Sequence, residues 1–225
     1  MGEIIHEALS LAGILAFAIS GALVGVRRDL DLLGVVVVGA ATGLGGGILR
    51  DLLLGVHPPI AFVSWPNLAV AVAGSLAVFV FHPSISRIRS FEVIFDAFGL
   101  GLFSANGAVI AAALGQPPLT AILLGALTAI GGGVIRDVLV NDVPAVLTRE
   151  LYAVSALAGS GVAVLIFAAG GGALVASLVG GALAVALRLA SYWFGWHLPR
   201  PSAGFAVHRR GTDGEPGRIS PTAAE

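Results

Sequence analysis

Two stretches of this chain put ionisable groups inside apolar sequence. The first reads Thr42-Gly43-Leu44-Gly45-Gly46-Gly47-Ile48-Leu49-Arg50-Asp51, and 86 residues later comes Thr128-Ala129-Ile130-Gly131-Gly132-Gly133-Val134-Ile135-Arg136-Asp137. Charges at membrane depth are costly unless paired or wetted, which makes Arg50, Asp51, Arg136 and Asp137 candidates for function. Three consecutive glycines let a helix bend or unwind and free backbone carbonyls. Such backbone is tolerated only against protein or a water-filled cavity, so the two stretches imply a wet path. On a helix, Gly39, Gly43 and Gly47 form a small-residue stripe suited to close helix packing. A second stripe holds Thr42, Gly46 and Arg50, with Thr128, Gly132 and Arg136 as its counterpart, and this one is expected to face the path.

Adjacent residues point apart on a helix, so each arginine is expected to find its carboxylate elsewhere. Asp96 is the candidate partner of Arg136. The position matching Asp96 in the first copy is Ser10, which leaves Glu7, Asp51 or water for Arg50. Ser20 and Asn106 correspond at the same offset, each followed by glycine. They either face the path or hydrogen-bond between helices, and the sequence leaves both open.

These residues need a membrane around them. The chain is 57% hydrophobic and 11% charged, against roughly 25% charged in soluble domains, and its mean hydropathy is +0.97. With no cysteine, disulfides and thiolate metal sites are excluded, and the scattered histidines have no ligand spacing. No cofactor or metal is expected, nor nucleic acid binding at a net charge of -1. No nucleophile, base and orienter set suggests an enzyme. About 20 apolar residues cross a bilayer, and on that ruler the expected spans are 7–26, 32–54, 67–82, 92–113, 118–140, 151–168 and 173–195. Charge clusters, Pro pairs and Gly runs separate them. All 12 basic residues are arginine; their distribution puts the N-terminus outside and the C-terminus in the cytoplasm. Residues 1–196 are read as one transmembrane domain and 197–225 as a disordered cytoplasmic tail.

The offset of 86 also aligns Phe17 with Phe103, Gly21 with Gly107, Gly39 with Gly125 and Pro58 with Pro144. Residues 7–82 and 92–168 are therefore two copies of a three-helix unit, and the helix at 173–195 is extra. Three being odd, the copies enter the membrane in opposite senses, giving an all-α fold of inverted repeats. Ion or substrate sites in such folds lie where the repeats meet.

At residues 17–22, at Gly45, Gly46, Gly47, Arg50 and Asp51 with Pro58, at Asp96, Gly99 and Phe103, and at Gly131, Gly132, Gly133, Arg136 and Asp137 with Pro144, the sequence resembles the prokaryotic members of the trimeric intracellular cation (TRIC) channel family. The resemblance implies seven transmembrane helices and a homotrimer in the bacterial inner membrane. It further implies one pore per subunit, lined by spans 1, 2, 4 and 5 and bent at the glycine triplets, conducting K⁺ and also Na⁺. On that basis the ion path comprises Ser20, Thr42, Gly45, Gly46, Gly47, Arg50, Asp51, Asn106, Thr128, Gly131, Gly132, Gly133, Arg136 and Asp137. The animal members use a basic residue in gating; this chain has no lysine, so lysine-based gating does not carry over. The competing reading is a secondary transporter of a small neutral amino acid such as glycine.

Overall fold

The computed structural model describes residues 2–82, 85–148 and 151–196, with side chains from 6 to 82, 89 to 147 and 151 to 196. Among the described residues every regular element is a helix: α1 (Gly2–Arg27), α2 (Leu32–Leu53), α3 (Ile60–Val63), α4 (Trp65–Phe81), α5 (Ile85–Ala113), α6 (Pro118–Leu139), α7 (Ala145–Thr148), α8 (Tyr152–Ala168) and α9 (Ala173–Phe194). Five of them are long and apolar enough to cross a membrane, and α4 and α8 are shorter apolar helices. These seven helices coincide with the expected stretches to within about two residues, apart from the starts of α1 and α5, which lie further upstream. The short helices α3 and α7 were not foreseen. The expected tail at 197–225 lies outside the described residues.

Local chemistry sets the ends. Asp31 caps α2, accepting from the Gly34 N–H at 2.7 Å, and α6 opens on proline, whose fixed φ suits the first turn. The turns repeat as the sequence does. Asp29 and Gly115 take positive φ after α1 and α5, and Gly55 and Asn141 do so after α2 and α6. In both pairs the offset is 86, and only Gly, Asn or Asp readily occupies that region.

Helices α1 and α5 pack antiparallel: His6 bonds Asn106, Phe17 meets Phe103 edge-on at 5.3 Å, and Arg27 reaches Glu92. Against this pair, α2 and α6 cross with their backbones nearly touching. A Cβ on Gly46 would lie 2.0 Å from the Thr128 carbonyl oxygen, and one on Gly132 would lie 2.3 Å from that of Thr42. Gly45 meets Ile135 and Gly131 meets Leu49. Each contact is the other with the two copies exchanged, the signature of a self-complementary interface.

This corrects one expectation. Both helices run as unbroken α-helix through their triplets, so the triplets neither unwind nor release carbonyls. Glycine costs a helix only about 1 kcal/mol relative to alanine, and here it admits a neighbouring backbone. Gly46→Ala should therefore destabilise the protein by about 1–3 kcal/mol, the range for overpacking. Gly47→Ala, where a Cβ meets nothing within 4 Å, should leave the thermal unfolding midpoint in detergent nearly unchanged.

Candidate functional site

A partly open cavity of about 360 Å³ is lined mainly by the first copy. From α2 it takes Gly43, Gly47 and Arg50, which share one helical face, together with Leu44 and Asp51. Helix α1 contributes His6, Glu7 and Ser10, α4 contributes Asn67, and Ile14 with Phe103 form part of the apolar wall. Two carboxylates, an amide and hydroxyls thus surround a space large enough for water.

The face that lines it is not the one expected. Thr42 and Thr128 are fully buried and donate to the carbonyls of Val38 and Leu124, one turn back, at 2.6 Å each. They sit against Gly21 and Gly107 and do not line the cavity. Gly45, Gly46, Gly131 and Gly132 lie in the α2–α6 crossing. Of the first triplet, only Gly47 opens on the cavity.

The arginines also find partners that helical spacing argued against. Arg50 folds onto its neighbour, its Nε and Nη2 donating to Asp51 Oδ1 at 3.0 and 2.8 Å. Arg136 Nε donates to Asp137 Oδ1 at 2.9 Å. The spacing rule concerns Cβ directions; a long side chain in the last helical turn swings past it. The remaining carboxylate oxygens accept from the first turns of the short helices. Ile60 N–H donates to Asp51 Oδ2 at 2.9 Å, and Ala145 N–H to Asp137 Oδ2 at 2.7 Å. The Arg-Asp pair is thus a joint between a long helix and the chain that follows it.

The copies diverge at one acid. Arg136 Nη1 lies 2.8 Å from Asp96 Oδ1 and donates to Ser20 Oγ at 2.8 Å. Tyr152 donates its hydroxyl to the same Asp96 oxygen at 3.3 Å, and the Arg188 guanidinium stands 4.9 Å from the Tyr152 ring centre. Arg136, Asp96, Tyr152 and Arg188 are each 3% exposed or less, so this cluster is closed. In the first copy Ser10 stands where Asp96 would be, and it bonds Asn106 Nδ2 at 3.0 Å. Asn106 Oδ1 also lies 2.6 Å from His6 Nδ1. Too short and uncharged to draw Arg50 across, Ser10 leaves the cavity open. Tyr152 fills the matching space: a Cβ on Gly133 would lie 2.7 Å from its hydroxyl. Near the same end, Arg27 pairs with Glu92 at 2.5 Å and Arg28 with Asp142.

Sequence reasoning did not single out His6, Asn67, Tyr152 or Arg188. A signal existed for Tyr152, since proline stands at the matching position 66. Among the described residues no group of His, Asp or Glu could hold a metal ion. Truncating Asp96 strands a buried guanidinium, which costs about 3–5 kcal/mol. Asp96→Ala should lower thermal stability by about that much, whereas Ser10→Ala should cost about 1 kcal/mol or less.

The family model described as Glycine transporter matches this chain twice, over residues 7–83 and 93–169, at the offset read from the sequence. A UPF0126 membrane protein of Deinococcus radiodurans is 45% identical over 155 residues, covering 68% of this chain and 72% of the relative. The UPF0126 inner membrane protein YadS of Escherichia coli (strain K12) is 34% identical over 206 residues, covering 90% and 97%. Among solved structures, the TRIC trimeric intracellular cation channel orthologue from Rhodobacter sphaeroides superposes with a TM-score of 0.81 at 36% identity, covering 85% of this chain and 98% of that one. With that fold, that identity and the doubled family match, this chain is a multi-pass membrane protein of the bacterial TRIC family, within the group defined by the Glycine transporter model and the UPF0126 proteins.

Proposed function

We propose that the protein is a passive channel for monovalent cations, K⁺ and also Na⁺, with no enzymatic step and a pore in each subunit of a homotrimer. The pore would be lined by α1, α2, α5 and α6. The observation that carries this reading is the cavity bearing Glu7 and Asp51, set between α1, α2 and α5 and opposed in the second copy by a closed ion-pair cluster. The likeness to TRIC cation channel structures supports it.

Arginines beside a cation path are no obstacle here. Two like charges 4 Å apart repel by about 4 kcal/mol at an effective dielectric of ~20, but Asp51 neutralises Arg50 and both Asp96 and Asp137 face Arg136. Glu7 adds a further negative charge to the cavity wall.

We read the two copies as inverted three-helix repeats within one domain of seven crossings, 1–196. The antiparallel α1–α5 pair and the exchanged α2–α6 contacts support this. With the N-terminus outside the inner membrane and the C-terminus in the cytoplasm, the cavity at Arg50 is the outer vestibule and the cluster at Arg136 closes the inner end. The described conformation is then open outward and shut inward. Conduction requires the Arg136 cluster to part.

Purified protein in liposomes should pass rubidium tracer without valinomycin. Saturable uptake of radiolabelled glycine with no rubidium flux would replace the channel by a carrier. Ser10→Asp supplies the acid that the first copy lacks, and it should draw Arg50 across the vestibule. Rubidium flux should fall about tenfold, the effect of ~1.4 kcal/mol on a two-state equilibrium, with the protein still monodisperse in detergent.

A further inference from the structure

We infer that α9, the helix outside both repeats, holds the inner end shut through Arg188, which acts on the gate by positioning Tyr152. This rests on the channel reading above, and it assigns a role to a residue outside the cavity lining.

An arginine buried to 1% exposure on an apolar helix is costly to keep, and its place shows what it does. Helix α9 packs against α5 and α8, the helices that carry Asp96 and Tyr152. The Arg188 guanidinium lies 4.9 Å from the Tyr152 ring centre, within reach of a cation–π attraction, which strengthens where water is excluded. The ring it holds donates its hydroxyl to Asp96 Oδ1, the oxygen that also receives Arg136. That hydroxyl stands over Gly133, whose counterpart Gly47 looks into open cavity. Arg188, Tyr152, Asp96 and Arg136 therefore form one chain of contacts from the added helix to the closure. The first repeat has proline in place of Tyr152, serine in place of Asp96, and a cavity. Its opening follows from lacking this chain.

The contacts predict that loosening Arg188 shifts the closed–open balance and leaves the path itself unchanged. The protein has no cysteine, so one reporter can be placed in the full chain. Leu100 is fully buried and is the counterpart of Ile14, which lines the open cavity. In a Leu100→Cys background, the rate of labelling by a water-soluble thiol reagent reads opening whether or not ions pass. Single-channel recording of the same variants reads conduction separately.

Arg188→Gln should speed labelling and raise open probability on the order of tenfold with unitary conductance unchanged. Arg188→Lys keeps a cation over the ring and should stay within about twofold of the parent. Tyr152→Phe keeps the ring but loses the hydroxyl, and should open the closure as Arg188→Gln does. In that background Arg188→Gln should add little, because both act through one contact. Parental labelling in either single variant overturns the inference, as do fully additive effects or a change confined to unitary conductance. If Arg188→Gln does not fold, Tyr152→Phe alone decides. Labelling that follows these expectations in a protein without channel steps would sink the channel reading and keep the latch.

Discussion

The Thr128 carbonyl oxygen occupies the place where residue 46 would carry a Cβ, and the Thr42 carbonyl does the same at residue 132. The structure depends on this mutual backbone contact between α2 and α6. It fixes where the two helices cross and leaves Gly43, Gly47 and Arg50 of α2 on the cavity side. Glycine is required there by lack of space. In a bilayer, where lipid tails are as apolar as leucine, such close packing rather than apolar burial holds helices together.

From that crossing the two copies build the same scaffold and finish it differently. Each ends its second helix on an Arg-Asp pair whose carboxylate also receives the first turn of a short helix. What each arginine does next depends on α1 or α5. Opposite Arg136 stands a carboxylate, and the guanidinium spans the gap to it. Opposite Arg50 stands a hydroxyl, and the guanidinium stays with Asp51. A near-symmetric fold thus holds an open space in one half and a packed cluster in the other. In the channel proposed above, one end would admit water while a few polar contacts govern the other.

A buried ion pair adds little net stability against an apolar replacement of the same shape, yet breaking one by halves is expensive. This makes the Arg136 cluster suited to two states. As the gate of the proposed channel, it would be either made completely, with Asp96, Asp137 and Ser20 all engaged, or given up together as water enters. Tyr152 and Arg188 extend the cluster to α8 and α9, so its state is tied to the packing of the outer helices.

The sequence by itself determined the helices, the repeat and the residues worth watching. Apolar runs of membrane length between Gly, Pro and charge clusters have few other solutions, and the offset of 86 appears in the turns at Asp29 and Gly115 and at Gly55 and Asn141. Asp96 was legible as a partner of Arg136 because a carboxylate in an apolar span needs a cation and the expected topology puts both toward the cytoplasmic side. Which stripe of α2 meets the cavity was not legible. Small residues fill both stripes, and only the neighbours decide which is covered. Asp51 was one of three candidates for Arg50, and residue spacing could not single it out, since the reach of a long side chain and the direction of its Cβ are separate matters. The roles of Tyr152 and Arg188 were not legible for a similar reason: their meaning lies in what stands beside them, and tertiary packing alone brings α8, α9 and Asp96 to one place.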